Sequence, residues 1–374
     1  MALVEGTVAP TFEPVADVFT AHLDAGEDLG GGFAALQDGQ VLVEIWGGWR
    51  DRAKTKPWGR DTLAPVFSTT KGVSAIIVAW CVDQRLLRYE DRVADLWPEF
   101  GAHGKDEVTI AQALSHQAGV PGFSRPIDPS LWLDPPACAE AIAALAPMWP
   151  PGSASGYHPL TWGYIVGEIV ARAAGRSLGA ILREEICELS GIDFHLGMPE
   201  GALARIPEMQ KPRSFANFGE ITPPKRAAFF NAWSAAKRSD PRWARIEIPS
   251  ANGHGTAFAV AELYALYATG GEIGGRRVLS PATFSSLIAR RIEGDDLVLP
   301  FHLDWRSGVL GNNKSFYGPN RDAIGHSGSG GSCGFGDPAR RLSVGYVMNK
   351  QSHHLMGDPR ALRLIEALYS CLSS

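Results

Sequence analysis

The sequence predicts an α/β fold of the α+β kind, an antiparallel sheet flanked by helices and joined to a mainly helical unit. Three observations predict it. Near the N-terminus an Asp38-Gly39 pair separates two strand-like runs, Phe33-Ala34-Ala35-Leu36 and Val41-Leu42-Val43-Glu44-Ile45-Trp46. Near the other end a strand-like run returns as Leu342-Ser343-Val344-Gly345-Tyr346-Val347-Met348-Asn349. Between them, apolar residues recur mostly at helical spacing. Sheet-bearing ends around a helical middle place one α/β unit on residues 1–75 with 255–374. A mainly helical unit then occupies 76–254 and carries a cap or long loop at 207–252.

The elements follow in order. Residues 12–25 carry apolar positions at helical spacing and read as an opening amphipathic helix. Asp-Gly between strands signals a tight hairpin, because both central turn residues need positive φ. From residue 69 to about 87 the run Gly72-Val73-Ser74-Ala75-Ile76-Ile77-Val78-Ala79-Trp80 is apolar nearly all round, as in a helix buried inside a large protein. Residues 108–191 read as mainly helical, broken by Pro-rich loops at 121–136 and 147–151. The stretch 207–252 mixes Pro, Arg and aromatics and reads as a cap. Helix returns at 256–269, stopped by Gly270-Gly271, and residues 358–372 close the chain as an amphipathic helix.

Composition narrows the function. The 374 residues are 45% hydrophobic and 20% charged, with a formal net charge of −5, so there is no basic footprint for nucleic acid. Lys and Arg form no dense run for an anionic membrane, and no apolar stretch approaches ~20 residues. The expected partner is a small molecule; nothing in the sequence sets the oligomeric state. Five scattered cysteines form no CxxC pair, so no disulfide framework or zinc site is expected. No secretory start follows Met1, and a cytoplasmic location with reduced thiols is expected. No metal or other cofactor is expected.

The chemistry concentrates in three motifs. Ser68-Thr69-Thr70-Lys71 leads into the buried helix, and a spacing of three puts Ser68 and Lys71 on one helical face. An ammonium there, with the helix N-terminus, favours alkoxide character at the serine. As a plain N-cap serine with a solvated lysine, the pair would sit badly in so apolar a helix. A second copy, Ser234-Ala235-Ala236-Lys237, runs into the polar Arg238-Ser239-Asp240-Pro241 and is read as chance. Gly330-Gly331-Ser332-Cys333-Gly334 fits a nucleophile elbow, but a turn and not a helix follows it, so a glycine-rich connection is the better reading. Next, a Pro-rich loop delivers Tyr157 to the start of a helix, where a phenolate would accept the serine proton and later activate water. Third, Gly325-His326-Ser327-Gly328-Ser329-Gly330-Gly331 would let a strand backbone approach a ligand and complete an oxyanion hole with the N–H of Ser68.

In that order and spacing the motifs resemble the superfamily of serine β-lactamases, D-alanyl-D-alanine carboxypeptidases and family VIII carboxylesterases. Leu114-Ser115-His116-Gln117-Ala118-Gly119-Val120 is a further match, and the segments around Trp46-Gly47-Gly48-Trp49, Ser68 and Tyr157-His158-Pro159 look most like the esterase branch. The resemblance implies a β-lactamase/transpeptidase-like fold. It implies Ser68 as nucleophile, Lys71 as activator, Tyr157 as general base and Ser329 as second oxyanion donor. His158, Pro159, His326 and Gly328 would border the substrate. Two positions depart: Pro159 stands where tyrosine-type β-lactamases have asparagine, and His326 where they have lysine. The expected function is a carboxylesterase acting on short-chain esters through an acyl-Ser68 intermediate. β-Lactamase, D-amino-acid amidase or acyltransferase activity at the same site, and a non-catalytic penicillin-recognising domain, are the alternatives.

Overall fold

A computed structural model describes residues 3–373; Met1, Ala2 and Ser374, and with Met1 the start on which the absence of a secretory signal was read, lie outside the described residues. The chain opens with strand β1 (Val4–Val8), helix α1 (Glu13–Asp24), and the hairpin β2 (Gly30–Gln37) and β3 (Gln40–Gly48). Asp38 and Gly39 have φ of 50° and 77°, so the hairpin turns as its sequence demands. Strand β1 was not anticipated: Val-Glu-Gly-Thr-Val lies at the sheet edge against β3, and its half-exposed residues give no apolar signal. The late strands are β4 (Ile292–Asp295), β5 (His302–Trp305), β6 (Leu310–Gly311), β7 (Ile324–Ser327), β8 (Cys333–Asp337) and β9 (Leu342–Met348). Together the nine form one antiparallel sheet in the order β1-β3-β2-β9-β8-β7-β6-β5-β4. The fold is mixed α/β, with helices packed on both faces of the sheet.

Joining the ends of the chain through the β2–β9 pair buries the central strands on both faces, so they read as nearly continuous apolar runs. Side chains still alternate. Phe33 and Ala35 of β2 face one core, whereas Ala34 and Leu36 face the other. The first core is closed by α1 and the C-terminal helix (Pro359–Cys371), through Phe19, Leu364 and Leu368. The second is closed by α2 (Thr70–Asp83), α3 (Thr161–Ala174) and α4 (Ala257–Thr269). Helix α2 is apolar all round because it lies inside this core, with Val73 to Ala79 almost without solvent exposure. Thr256 caps α4 and Gly270 ends it in the left-handed region, as read. Residues 207–252 hold only short helical turns. Cys81, Cys138, Cys187 and Cys333 are buried thiols. Among the described residues, no helix is long and apolar enough to cross a membrane.

Candidate active site

Ser68 sits in a single 3₁₀ turn, Phe67–Thr69, and the α-helix proper starts at Thr70. Phe67 has a φ of 48°, a left-handed conformation that an aromatic residue adopts only under constraint from its surroundings. The constraint is visible. Val66 donates to Gly253 O at 2.9 Å, its carbonyl accepts from Ser332 Oγ at 2.8 Å, and the carbonyl of Thr69 accepts from Tyr264 Oη at 2.7 Å. Tyr267 Oη donates to Gly72 O at 2.7 Å, so two tyrosines of α4 hold the first turn of α2. Gly72 is needed for that approach, since a Cβ there would lie 2.1 Å from Tyr264 Oη.

Lys71 is fully buried. Its Nζ lies 2.8 Å from Tyr157 Oη and 3.3 Å from Ser68 Oγ, and donates to the carbonyls of Pro159 and Ser250, each at 3.0 Å. Tyr157 Oη is 2.6 Å from Ser68 Oγ, closing a triangle of the three side chains. Burial holds the Lys71 amine well below the usual lysine range and pushes the Tyr157 phenol up. No carboxylate bonds to Lys71 among the described residues to offset this. An expected Tyr157 phenolate therefore meets a phenol that favours its proton, beside an amine that favours losing one.

Asp296 holds Tyr157 in place and was not found from sequence. Buried, it accepts from the N–H groups of Tyr157 (2.8 Å), Val298 (3.0 Å) and Leu299 (2.9 Å) and from Trp305 Nε1 (3.1 Å). The Trp305 ring lies parallel to that of Tyr157, 5.9 Å away.

The other expected residues divide. Ser329 is exposed on the turn after β7 and lines the cavity, as do Pro159 and Ser327. That turn is pinned from below: Ser329 O accepts from Gln351 Nε2 at 3.0 Å, and Gly330 O from Arg360 Nη2 at 2.7 Å. Arg360 is in turn gripped by Asp28 (2.7 Å) and Asp358 (2.8 Å). Gly328 allows close approach, but to the nucleophile turn and not to the cavity, with Val66 O 2.3 Å from where its Cβ would lie. His158 and His326 lie beneath the site, away from the cavity surface. His158 Nε2 accepts from the Val120 N–H at 2.9 Å. His326 was expected to border the substrate where relatives have a lysine; burial first, and the nearby Lys71, lower its pKa to about 3, so it is a neutral ring packed near Tyr157 and Trp305.

The two decoys are structural. Ser332 is buried and bonds Val66 O and Thr69 Oγ1. Ser234 Oγ donates to Ala227 O at 2.8 Å, and Lys237 points to solvent.

The triangle opens into a cavity of about 200 Å³. Its walls are mostly apolar, with Phe229, Trp243, Leu160 and Met356 among them, and the 207–252 stretch supplies much of one side, including Arg238.

Comparison with known proteins identifies the family and the fold, which is of the β-lactamase/transpeptidase-like type. The Beta-lactamase family model matches residues 15–368. "Esterase/beta-lactamase LipL" of Mycobacterium tuberculosis is 33% identical over 365 residues, covering 93% of this chain and 83% of the relative. A penicillin-binding protein homologue from Caulobacter crescentus superposes with a TM-score of 0.96 at 47% identity, covering 99% of this chain and all of that one. A family VIII carboxylesterase superposes at 0.93 with 37% identity, again over 99% of this chain and all of the other. With its motifs, its sheet order and these likenesses together, the chain belongs to the beta-lactamase family of serine hydrolases.

Proposed function

We propose that the protein is a carboxylesterase that cleaves short-chain esters through an acyl-Ser68 intermediate. The observation that carries this reading is the Ser68–Lys71–Tyr157 triangle at the floor of a small apolar cavity. With its amine neutral, Lys71 donates its two N–H groups to the Pro159 and Ser250 carbonyls, which leaves its lone pair for a proton. Ser68 Oγ attacks the ester carbonyl carbon as its proton passes, directly or through Tyr157, to Lys71 Nζ. The carbonyl oxygen takes up negative charge against the N–H groups of Ser68 and Ser329. Collapse breaks the bond to the alcohol, which receives the proton by way of Tyr157. Water then attacks the acyl-enzyme and gives its proton to the same pair; collapse breaks the bond to Ser68 Oγ, which takes that proton back, and releases the acid.

Esters suit this site better than β-lactams. A β-lactam presents an acylamino group and a carboxylate, but Pro159 has no N–H and its carbonyl is taken by Lys71. His326 supplies no cation where the resemblance would place a lysine. An unpaired acylamino group costs about 1–3 kcal/mol, and a carboxylate that misses the lysine position must turn to Arg238 on the cavity wall, which leaves room for weak β-lactam cleavage. A simple ester brings neither group. The test is kcat/KM for p-nitrophenyl butyrate against nitrocefin, with Ser68→Ala as control. Butyrate should be preferred by powers of ten, and Ser68→Ala should lose acyl-enzyme and turnover. Equal or faster nitrocefin cleavage would reverse the reading, and a fluorophosphonate adduct on Ser332 would move the nucleophile.

A further inference from the structure

Arg238 is a cation with work left to do. Among the described residues no carboxylate lies within ion-pair distance of it, and its one hydrogen bond runs from Nη1 to Gln351 Oε1, at 3.2 Å. Its guanidinium covers the ring of Phe67, 4.9 Å from the centroid, and so stands beside the residue that precedes Ser68. It lines the cavity over Ser68 and also a second one of about 530 Å³. Phe67 and Trp243 border both cavities as well. The acidic residues around the second cavity are already engaged: Glu208 pairs with Arg52 at 3.1 Å, and Asp240 with Arg242 at 2.9 Å. Lys211, on the same wall, has no ion pair among the described residues. Positive charge is thus left uncompensated on one wall of an otherwise apolar site.

We propose that Arg238 forms an anion subsite, and that the preferred substrates are esters whose acyl chain ends in a carboxylate, half-esters of dicarboxylic acids. The anion belongs on the acyl side because that group stays bonded to Ser68 through both halves of the reaction, beside Phe67, while the alcohol departs. A planar guanidinium with four N–H groups unused matches a carboxylate edge to edge. The two cavities share the wall made by Phe67, Arg238 and Trp243, so a chain that starts at Ser68 and follows that wall meets the guanidinium at the solvent-exposed rim. This inference rests on the ester-hydrolase reading for its substrate, though not for its binding site.

The experiment has a catalytic and a binding arm. Mono-p-nitrophenyl adipate and its neutral methyl ester are compared as kcat/KM on the wild-type protein and on Arg238→Gln and Arg238→Lys. The anionic-to-neutral ratio should exceed one, fall about tenfold in Arg238→Gln, the size of one charge-assisted pair open to solvent, and recover in part in Arg238→Lys. In the wild type it should also shrink as NaCl rises to 1 M. In the second arm, calorimetry measures monomethyl adipate binding to Ser68→Ala and to Ser68→Ala/Arg238→Gln. The second protein should bind about tenfold more weakly. A ratio unchanged within twofold, or equal binding by the two proteins, overturns the subsite. If no ester is turned over but binding still depends on Arg238, the esterase reading fails and the subsite stands.

Discussion

At the scale of single residues, the site turns on which of two groups holds a proton. Lys71 has two carbonyl partners and burial pressing its amine toward neutrality, while Tyr157 has burial pressing its phenol to stay protonated. The base form of Lys71 is the one that appears as pH rises. The rate of acylation should therefore climb with pH through an apparent pKa below the ordinary lysine range, and stopped-flow kcat/KM profiles with p-nitrophenyl butyrate should show that rising limb. Lys71→Ala should remove it and cost ~10²-fold or more in turnover. Tyr157→Phe should cost a similar factor, and the double variant little beyond either single one, because both act on one proton path. Near-normal turnover in Tyr157→Phe would leave a direct Ser68-to-Lys71 transfer across their 3.3 Å separation. Ser68 and Lys71 were legible in the sequence because an i, i+3 pair entering an apolar helix is a local pattern, and Tyr157 only through its place after a Pro-rich loop and its company with the other motifs. Asp296 was not, since it meets Tyr157 across 139 residues and three of its four bonds go to backbone N–H groups, which any sequence offers. The same holds for Ser250, whose part is played by its carbonyl. His326 was legible as a position in a motif, but its charge depends on burial that only the fold sets.

At the scale of elements, the turn that carries Ser68 and the turn that carries Ser329 are each held by a neighbour remote in sequence. Helix α4 grips α2 through Tyr264 and Tyr267, and the alanine side chain of Gly72→Ala would drive into Tyr264 Oη. Either the tyrosine swings away or α2 shifts. Gly72→Ala should therefore lower kcat with butyrate by tenfold or more, consistent with the sensitivity of attack geometry to displacements of about 1 Å, and a variant with unchanged kcat would show that the clamp is dispensable. The turn at Ser329–Gly330 rests on Arg360, which Asp28 and Asp358 surround in the core. Arg360→Met leaves two buried carboxylates without their cation, and breaking such a pair costs about 3–5 kcal/mol. Urea unfolding monitored by tryptophan fluorescence should show that loss. The hairpin, α2, α4 and the closing helix could be read because each carries its own period, turn or stop signal. Edge strand β1 could not, because a strand that buries little has no pattern to read.

At the scale of the whole molecule, sheet strands from both ends of the chain and helices from its middle surround a centre that keeps several ionisable groups uncharged. The sequence made the strand-bearing ends legible, but not which strands would be neighbours, because β2 and β9 lie some three hundred residues apart and nothing local records their pairing. Nor did it reveal that His116, His158, His254 and His326 would all be buried. Two of them must be neutral on geometry alone: His158 Nε2 accepts from Val120 N–H, and His116 Nδ1 from His158 N–H at 3.1 Å. Burial is the main cause lowering all four, to about 3 for His158 and His326 and about 4 for His254. The sign follows from linkage. A group whose pKa is lower in the folded chain is protonated first in the unfolded one, so its contribution is complete above the unfolded value near 6.5 and is lost as pH falls toward 3–4. At pH 5 the loss is about 2 kcal/mol for each of His158, His254 and His326, roughly 6 kcal/mol for the three, and His116 adds to it in the same direction. Glu262, raised to about 7 mainly by burial, acts with the opposite sign and offsets no more than about one histidine, less for its partial exposure, and the buried Asp28 and Asp296, whose carboxyls are also raised mainly by burial, act in the same opposing direction. A net stability of ~5–15 kcal/mol leaves little after such a loss. The protein should therefore unfold near pH 5, above the range where paired carboxylates titrate, with a steep transition that takes up several protons. Far-UV circular dichroism and tryptophan fluorescence across pH 7 to 4 will follow it, and a chain that kept its neutral-pH Tm at pH 4.5 would mean that these imidazoles find partners on protonation.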